Sequence, residues 1–97
     1  MNGKAKEVFD AWYINKARQR PDIGERYFDE NLIAFFENSG DTIKNAHYVE
    51  WLDSLGPEFG GWTISDLIYS ELNNRNILKA TEAAIKKAVE IFNEKYA

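Results

Sequence analysis

Two segments at the ends of the chain repeat their apolar residues every three or four positions, and this pattern constrains the fold most. Apolar residues with that spacing line one face of a helix. The repeating positions are Ala5, Val8, Phe9, Trp12 and Tyr13 near the amino terminus and Ile85, Ala88, Val89, Phe92 and Tyr96 near the carboxyl terminus. We expect two amphipathic helices, one over residues 3–19 that Pro21 ends and one that Thr81 caps.

The length and composition indicate a single domain over residues 1–97. Forty-four per cent of the residues are hydrophobic, and a chain of this length buries a little over ~60% of its unfolded surface. The absence of cysteine fits a reducing cytosol. No stretch approaches the ~20 apolar residues of a membrane span, and the first residues lack the apolar centre of a signal peptide. We therefore expect a cytoplasmic domain with no membrane partner.

Short apolar runs and turn residues predict strands after the first helix. Residues 32–36 are apolar on both faces, and residues 38–41 predict a hairpin turn into a second strand over residues 42–44. Asn45 can then cap a helix that Gly56 and Pro57 end. This part of the chain predicts a strand, a turn, a strand and a helix.

Residues 62–72 allow two interpretations. Their β-branched and aromatic content favours a strand, followed by a turn over residues 73–76 and a short strand over residues 77–79. Alternatively, Thr63 and Asp66 can form the capping box of a helix. The positions that keep helical spacing are Ile64, Leu67, Ile68 and Leu72. We favour the strand, which gives an α+β fold: an antiparallel sheet of two to four strands packed against three or four helices.

Charge separates the middle of the chain from its ends. Residues 27–74 carry nine of the sixteen acidic residues but only one base, Lys44. The net charge of −4 opposes direct nucleic-acid binding, because affinity for phosphate comes from Lys and Arg. An acidic surface instead attracts basic partners. These carboxylates either form a solvated face paired with the terminal helices or bind a basic partner that relieves their mutual repulsion. The candidate partner-binding residues are Glu37, Asp41, Glu50, Asp53, Glu58, Asp66 and Glu71.

Residue patterns for catalysis and metal binding are sparse. His47, the single histidine, precedes Glu50 by about one helical turn, but a zinc site uses three or four ligands. No serine stands in a nucleophile elbow, and residues 56–61 lack the Lys and Ser or Thr of a phosphate loop. We expect no enzymatic activity, no cofactor and no metal.

The chain combines a small size, a lack of cysteine, an acidic centre and one helix that contains Ile43-Lys44 and Trp51-Leu52-Asp53. In these features it resembles the phage-borne DNA-mimic inhibitors, which include anti-CRISPR proteins. The resemblance implies a non-enzymatic protein that mimics nucleic-acid phosphates. Its partner would be a basic nucleic-acid-binding protein or complex of a bacterial defence system, whose DNA-binding surface it would block.

A second resemblance leads to a different expectation. Phe9-Asp10-Ala11-Trp12, residues 31–36, residues 40–45 and Trp62-Thr63-Ile64 look like the first half of the nuclear transport factor 2-like fold. That family is a cone that often encloses a small ligand and continues with long carboxyl-terminal strands, where this chain predicts a helix. The alternative function is therefore a small-molecule-binding or enzymatic domain. The side chains around its cavity would be Trp12, Phe36, Trp51 and Trp62.

Overall fold

The structure is a computed structural model that describes residues 1–73 and 76–96, and its regular elements are helices. They are α1 (Gly3–Arg18), α2 (Asp29–Glu37), α3 (Asp41–Ser54), α4 (Ile64–Glu71) and α5 (Ile77–Tyr96). The predicted α+β fold is wrong, because the described residues contain no sheet and only one isolated β-bridge. Their helices pack around one shared core.

The two terminal helices confirm the apolar periodicity. Ala5 and Phe9 are buried on α1, and α5 buries three alanines together with larger side chains, among them Val89 and Phe92. The small alanine side chains let neighbouring helices approach α5, which contacts α1, α3 and, most extensively, α4. Among the described residues, no helix combines the length and the apolarity needed to cross a membrane.

The predicted strand over residues 32–36 is part of α2. Leu32 and Phe36 are buried one helical turn apart, whereas Phe35 is exposed. Apolar residues on both sides of a short segment do not distinguish a strand from a helix that is covered on one side. In α2, Leu32 and Phe36 pack against the core, whereas Phe35 is exposed to solvent and does not pack against another sheet or helix layer as a buried strand would.

Residues 42–44, predicted as a strand, belong to α3. The helix follows Gly40 and starts at Asp41, so Asn45 lies inside it and does not cap it. The carboxylate of Asp41 in the first turn favours this start because it compensates the positive end of the helix dipole. The predicted end is confirmed, since Gly56 takes a positive φ of 68° just after the helix.

The favoured strand over residues 62–72 is also wrong, and the helical alternative is confirmed for α4. Thr63 and Asp66 form a capping box: the Asp66 N–H donates to Thr63 Oγ1 at 3.2 Å, and the Thr63 N–H donates to Asp66 Oδ2 at 3.1 Å. The β-bridge between Phe59 and Trp62 precedes the helix. The residues that it encloses are Gly60 and Gly61, both with positive φ, as a tight primed turn requires.

Residues 77–79 begin α5 and do not form a strand. Asn76 Oδ1 accepts the Lys79 N–H at 2.8 Å, which is the geometry of an N-cap. Thr81, predicted as the cap, lies one turn inside the helix and donates its hydroxyl to the Ile77 carbonyl. The predicted turn over residues 73–76 includes Asn74 and Arg75, which lie outside the described residues.

Aromatic rings fill the centre of the core. The Phe9 ring lies 5.0 Å from Phe36, 4.8 Å from Tyr48 and 5.7 Å from Trp51 between centroids. Phe36 and Trp51, two of the side chains predicted around a ligand cavity, therefore pack against other rings. Of the other two, Trp12 packs at the edge of the core and Trp62 is half exposed.

Candidate functional site

An open groove lies between α3, α4 and the first turns of α5, and we call it the apolar groove. Its volume is about 550 Å³. The residues that line it are Thr42, Asn45, Ala46, Val49, Ile68, Ile77, Leu78 and Thr81. Ile77 is 63% exposed and Leu78 42% exposed, so two large aliphatic side chains stand open to solvent at its edge. Such exposed apolar patches are typical of interaction sites.

Acidic side chains flank the apolar groove. Asp53 follows Val49 on α3 by four positions, and Glu82 follows Leu78 on α5 by four positions. Residues four apart lie on the same side of a helix. Neither carboxylate forms an ion pair within residues 1–73 and 76–96. Asp53 also lies in the last turn of α3, where the helix dipole disfavours negative charge. A cationic group brought to this position would relieve that unfavourable interaction.

A second crevice, of about 450 Å³, continues from the apolar groove along α5, and we call it the polar crevice. It and the apolar groove share Asn45. Its lining residues are Met1, Asn2, Asn45, Tyr48, Glu82, Ile85, Lys86, Val89 and Glu90. The buried Asn45 Nδ2 has no hydrogen-bond partner among the described residues, so the junction carries an unsatisfied donor.

Three of the seven predicted partner-binding carboxylates are engaged by lysines. Glu37 lies 3.8 Å from Lys6 on α1 and 3.6 Å from Lys44 on α3. Glu50 pairs with Lys16 on α1. The contacts with Lys6 and Lys16 agree with the interpretation in which the acidic middle pairs with the terminal helices, whereas Lys44 belongs to the middle itself.

Glu58 is the third, and it ties the loop before α4 to the end of α5. Lys95 Nζ and the Tyr96 hydroxyl each donate to Glu58 Oε2 at 2.7 Å. The two hydrogen bonds, from Lys95 first and then Tyr96, lower the pKa of the Glu58 carboxyl. The Glu58 carboxylate therefore holds the loop before α4 against the end of α5.

The other four predicted residues lie on α3 and α4. Asp66 serves the capping box of α4, and Glu71 is the last residue of that helix. Asp41 and Asp53 lie at opposite ends of α3, exposed and without ion pairs in the described part of the chain. Lysines therefore interrupt the acidic surface. None of the seven lines the apolar groove, and Asp53 follows the groove residue Val49 by four positions on α3.

His47 lies on α3 and is partly buried against α1 and α2. Its ring centroid is 5.4 Å from that of Tyr13 and 5.9 Å from that of Phe36. Desolvation lowers the pKa of His47, as does the positive charge of Lys16, while Glu50 acts in the opposite direction. Within the described chain, no group of three or more potential ligands can hold a metal ion.

Sequence reasoning missed the groove residues Ile77 and Leu78 because it placed them in a strand. The signal that could have found them is Asn76, a residue that favours the N-cap position, followed by good helix formers. Comparison with known proteins adds nothing to the geometry: no family model, curated protein or solved structure matches this chain.

Proposed function

We propose that this chain is a non-enzymatic binding protein that docks a basic segment of another protein in the apolar groove. The observation that carries the proposal is the exposure of Ile77 and Leu78 beside carboxylates that have no internal ion pair in the described structure. Full burial of an aliphatic side chain of this size contributes about 1.5–3 kcal/mol, and covering the exposed part of Ile77 and Leu78 contributes a fraction of that. The flanking carboxylates attract cationic partners and exclude anionic ones.

Inhibition of a DNA-binding surface in a bacterial defence complex is one specific form of this proposal. Such a surface is basic, so it has the charge that the groove would select. Because Glu37, Glu50 and Glu58 are held by lysines, mimicry of phosphates would depend first on Asp41 and Asp53. In this specific form, duplex DNA should compete with the chain for the captured partner. In the general form, duplex DNA should leave the binding unchanged.

Affinity capture with matched variants tests the proposal. The wild type, Leu78→Asp and Tyr69→Asp are immobilised and exposed to a lysate of the native host at low and high salt. Tyr69 is 80% exposed and does not line the groove, so it is the control. We expect a protein that the wild type and Tyr69→Asp retain at low salt and that Leu78→Asp loses. If the wild type and both variants retained the same proteins, the proposal would be contradicted.

A further inference from the structure

We propose that the occupant of the apolar groove is an amphipathic α-helix of about four turns that continues along the polar crevice, with its apolar stripe on the groove and basic side chains at its flanks. This inference rests on the proposed function and specifies the partner segment.

The length follows from the two crevices that meet at Asn45. Their α5 residues run from Ile77 to Glu90, which is about 20 Å at 1.5 Å per residue. A helix of about 13 residues covers that distance. An occupant confined to the apolar groove would cover only the first turns of α5.

The helical form follows from the backbone of the site. The described residues that line both crevices belong to helices or to the amino-terminal residues Met1 and Asn2, and none belongs to a sheet edge. An extended peptide would lack an edge to pair with, and its amide groups would lie unsatisfied over Val49, Ile68 and Leu78. A helix satisfies these groups internally and presents side chains at three- and four-residue spacing. It would lie beside α3 and α5 as in an ordinary helical bundle.

The charge of the occupant follows from the side chains around it. Asp53 flanks the apolar groove, and Glu82 and Glu90 line the polar crevice. The cationic groups of that crevice among the described residues are Lys86, between Glu82 and Glu90 on α5, and the amino group of Met1. Carboxylates thus outnumber cations along the path. A helix with Lys or Arg on both sides of its apolar stripe matches them, whereas an acidic helix meets like charges.

Three labelled synthetic peptides test the inference with the full chain. The first is a 16-residue amphipathic helix of Leu and Lys, the second has the same composition scrambled so that its leucines share no face, and the third replaces Lys by Glu. Fluorescence anisotropy gives the affinities, and amide NMR shifts locate the binding. We expect the Leu/Lys helix to bind at least tenfold more tightly than either of the others, with shifts at Val49, Ile68 and Leu78.

Variants connect the binding to the site. Leu78→Asp and the more exposed Ile77→Asp should each weaken the Leu/Lys helix at least tenfold, and Tyr69→Asp should leave it unchanged. Circular dichroism checks that each variant is folded. Glu82→Lys should weaken the Leu/Lys helix and strengthen the Leu/Glu helix. An unchanged preference in Glu82→Lys would contradict the charge assignment.

The outcomes separate the two proposals. Equal binding of the Leu/Lys and scrambled peptides, lost in Leu78→Asp, would overturn the helical occupant and leave the basic-segment proposal standing. Equal binding by wild type, Leu78→Asp and Ile77→Asp would overturn both. Failure of the Leu/Lys helix to bind would overturn the helical partner segment. A dimer in sedimentation equilibrium that Leu78→Asp abolishes would also overturn it, because the occupant of the groove would then be a second copy of this chain.

Discussion

Asn93 Oδ1 accepts the backbone N–H of Ala5 at 2.7 Å, a hydrogen bond that joins the last turns of α5 to the first turn of α1. The Asn93 Nδ2 group donates to the Asn2 carbonyl at 3.0 Å. The first N–H groups of a helix have no partner within the helix, and Ala5 is fully buried. Asn93 therefore satisfies a donor that water does not reach.

Replacing Asn93 tests this contact. Asn93→Ala leaves the Ala5 N–H buried without a partner, which costs about 1–3 kcal/mol. Urea unfolding should show this loss of stability, and Asn15→Ala on the exposed side of α1 is the control. A variant as stable as the control would show that the hydrogen bond contributes nothing.

Phe9 lies at the centre of the aromatic core, and its removal should be far more costly. Phe9→Ala is expected to lower the free energy of unfolding by about 3–5 kcal/mol, because it removes a buried ring and leaves a cavity. Phe28 is 75% exposed, so Phe28→Ala should change stability by less than about 0.5 kcal/mol. Chemical denaturation of both variants gives the comparison. Equal effects would contradict the assignment of the core.

Acid should destabilise the protein through His47. Its pKa in the folded chain lies below the ordinary value of 6.5. The folded state therefore favours the neutral ring: this contribution to stability is present above pH 6.5 and is lost as the pH falls through the lowered pKa. NMR titration of the single histidine measures the shift directly. Lys16→Met should raise the His47 pKa, and a pKa above 6.5 in the wild type would refute the desolvation argument.

Tyr48 should ionise only in strong alkali. Burial, followed by the charges of Glu37 and Asp10, raises its pKa to about 12. The neutral phenol contributes stability below its ordinary pKa of 10.0, and this contribution is lost as the pH rises through the folded pKa. The ultraviolet absorbance of tyrosinate should show a step at about pH 12 in the wild type that Tyr48→Phe lacks. Retention of that step in Tyr48→Phe would contradict the assignment to Tyr48.

The sequence predicts the helices whose apolar residues repeat over several turns. It locates α1 and the main part of α5 because their buried positions, from Ala5 to Phe9 and from Ile85 to Phe92, keep helical spacing. It fails for α2 because residues 32–36 are apolar at consecutive positions, and only tertiary packing decides which of them are buried. At α4 the capping box of Thr63 and Asp66 indicates a helix, but the β-branched and aromatic residues of this segment favour a strand and lead to the wrong prediction.

The candidate site was less predictable, since it depends on contacts between distant residues. The pairs Lys16–Glu50 and Lys95–Glu58 join residues far apart in the sequence, so a count of carboxylates did not indicate which ones are neutralised. The apolar groove likewise combines residues of α3, α4 and α5. Because the sequence predicts that the last helix begins at Thr81, it does not place Ile77 and Leu78 on that helix.

Photo-crosslinking tests the central claim most directly. Benzoylphenylalanine is placed at position 77 at the edge of the apolar groove or at the exposed position 69, which does not line the groove. Both proteins are irradiated in a lysate of the source organism. If the partner binds in the apolar groove, position 77 should give a crosslinked partner protein that position 69 does not give. Excess Leu/Lys peptide should prevent this crosslink. The same crosslinked protein from both positions, or from position 69 alone, would contradict binding in the groove.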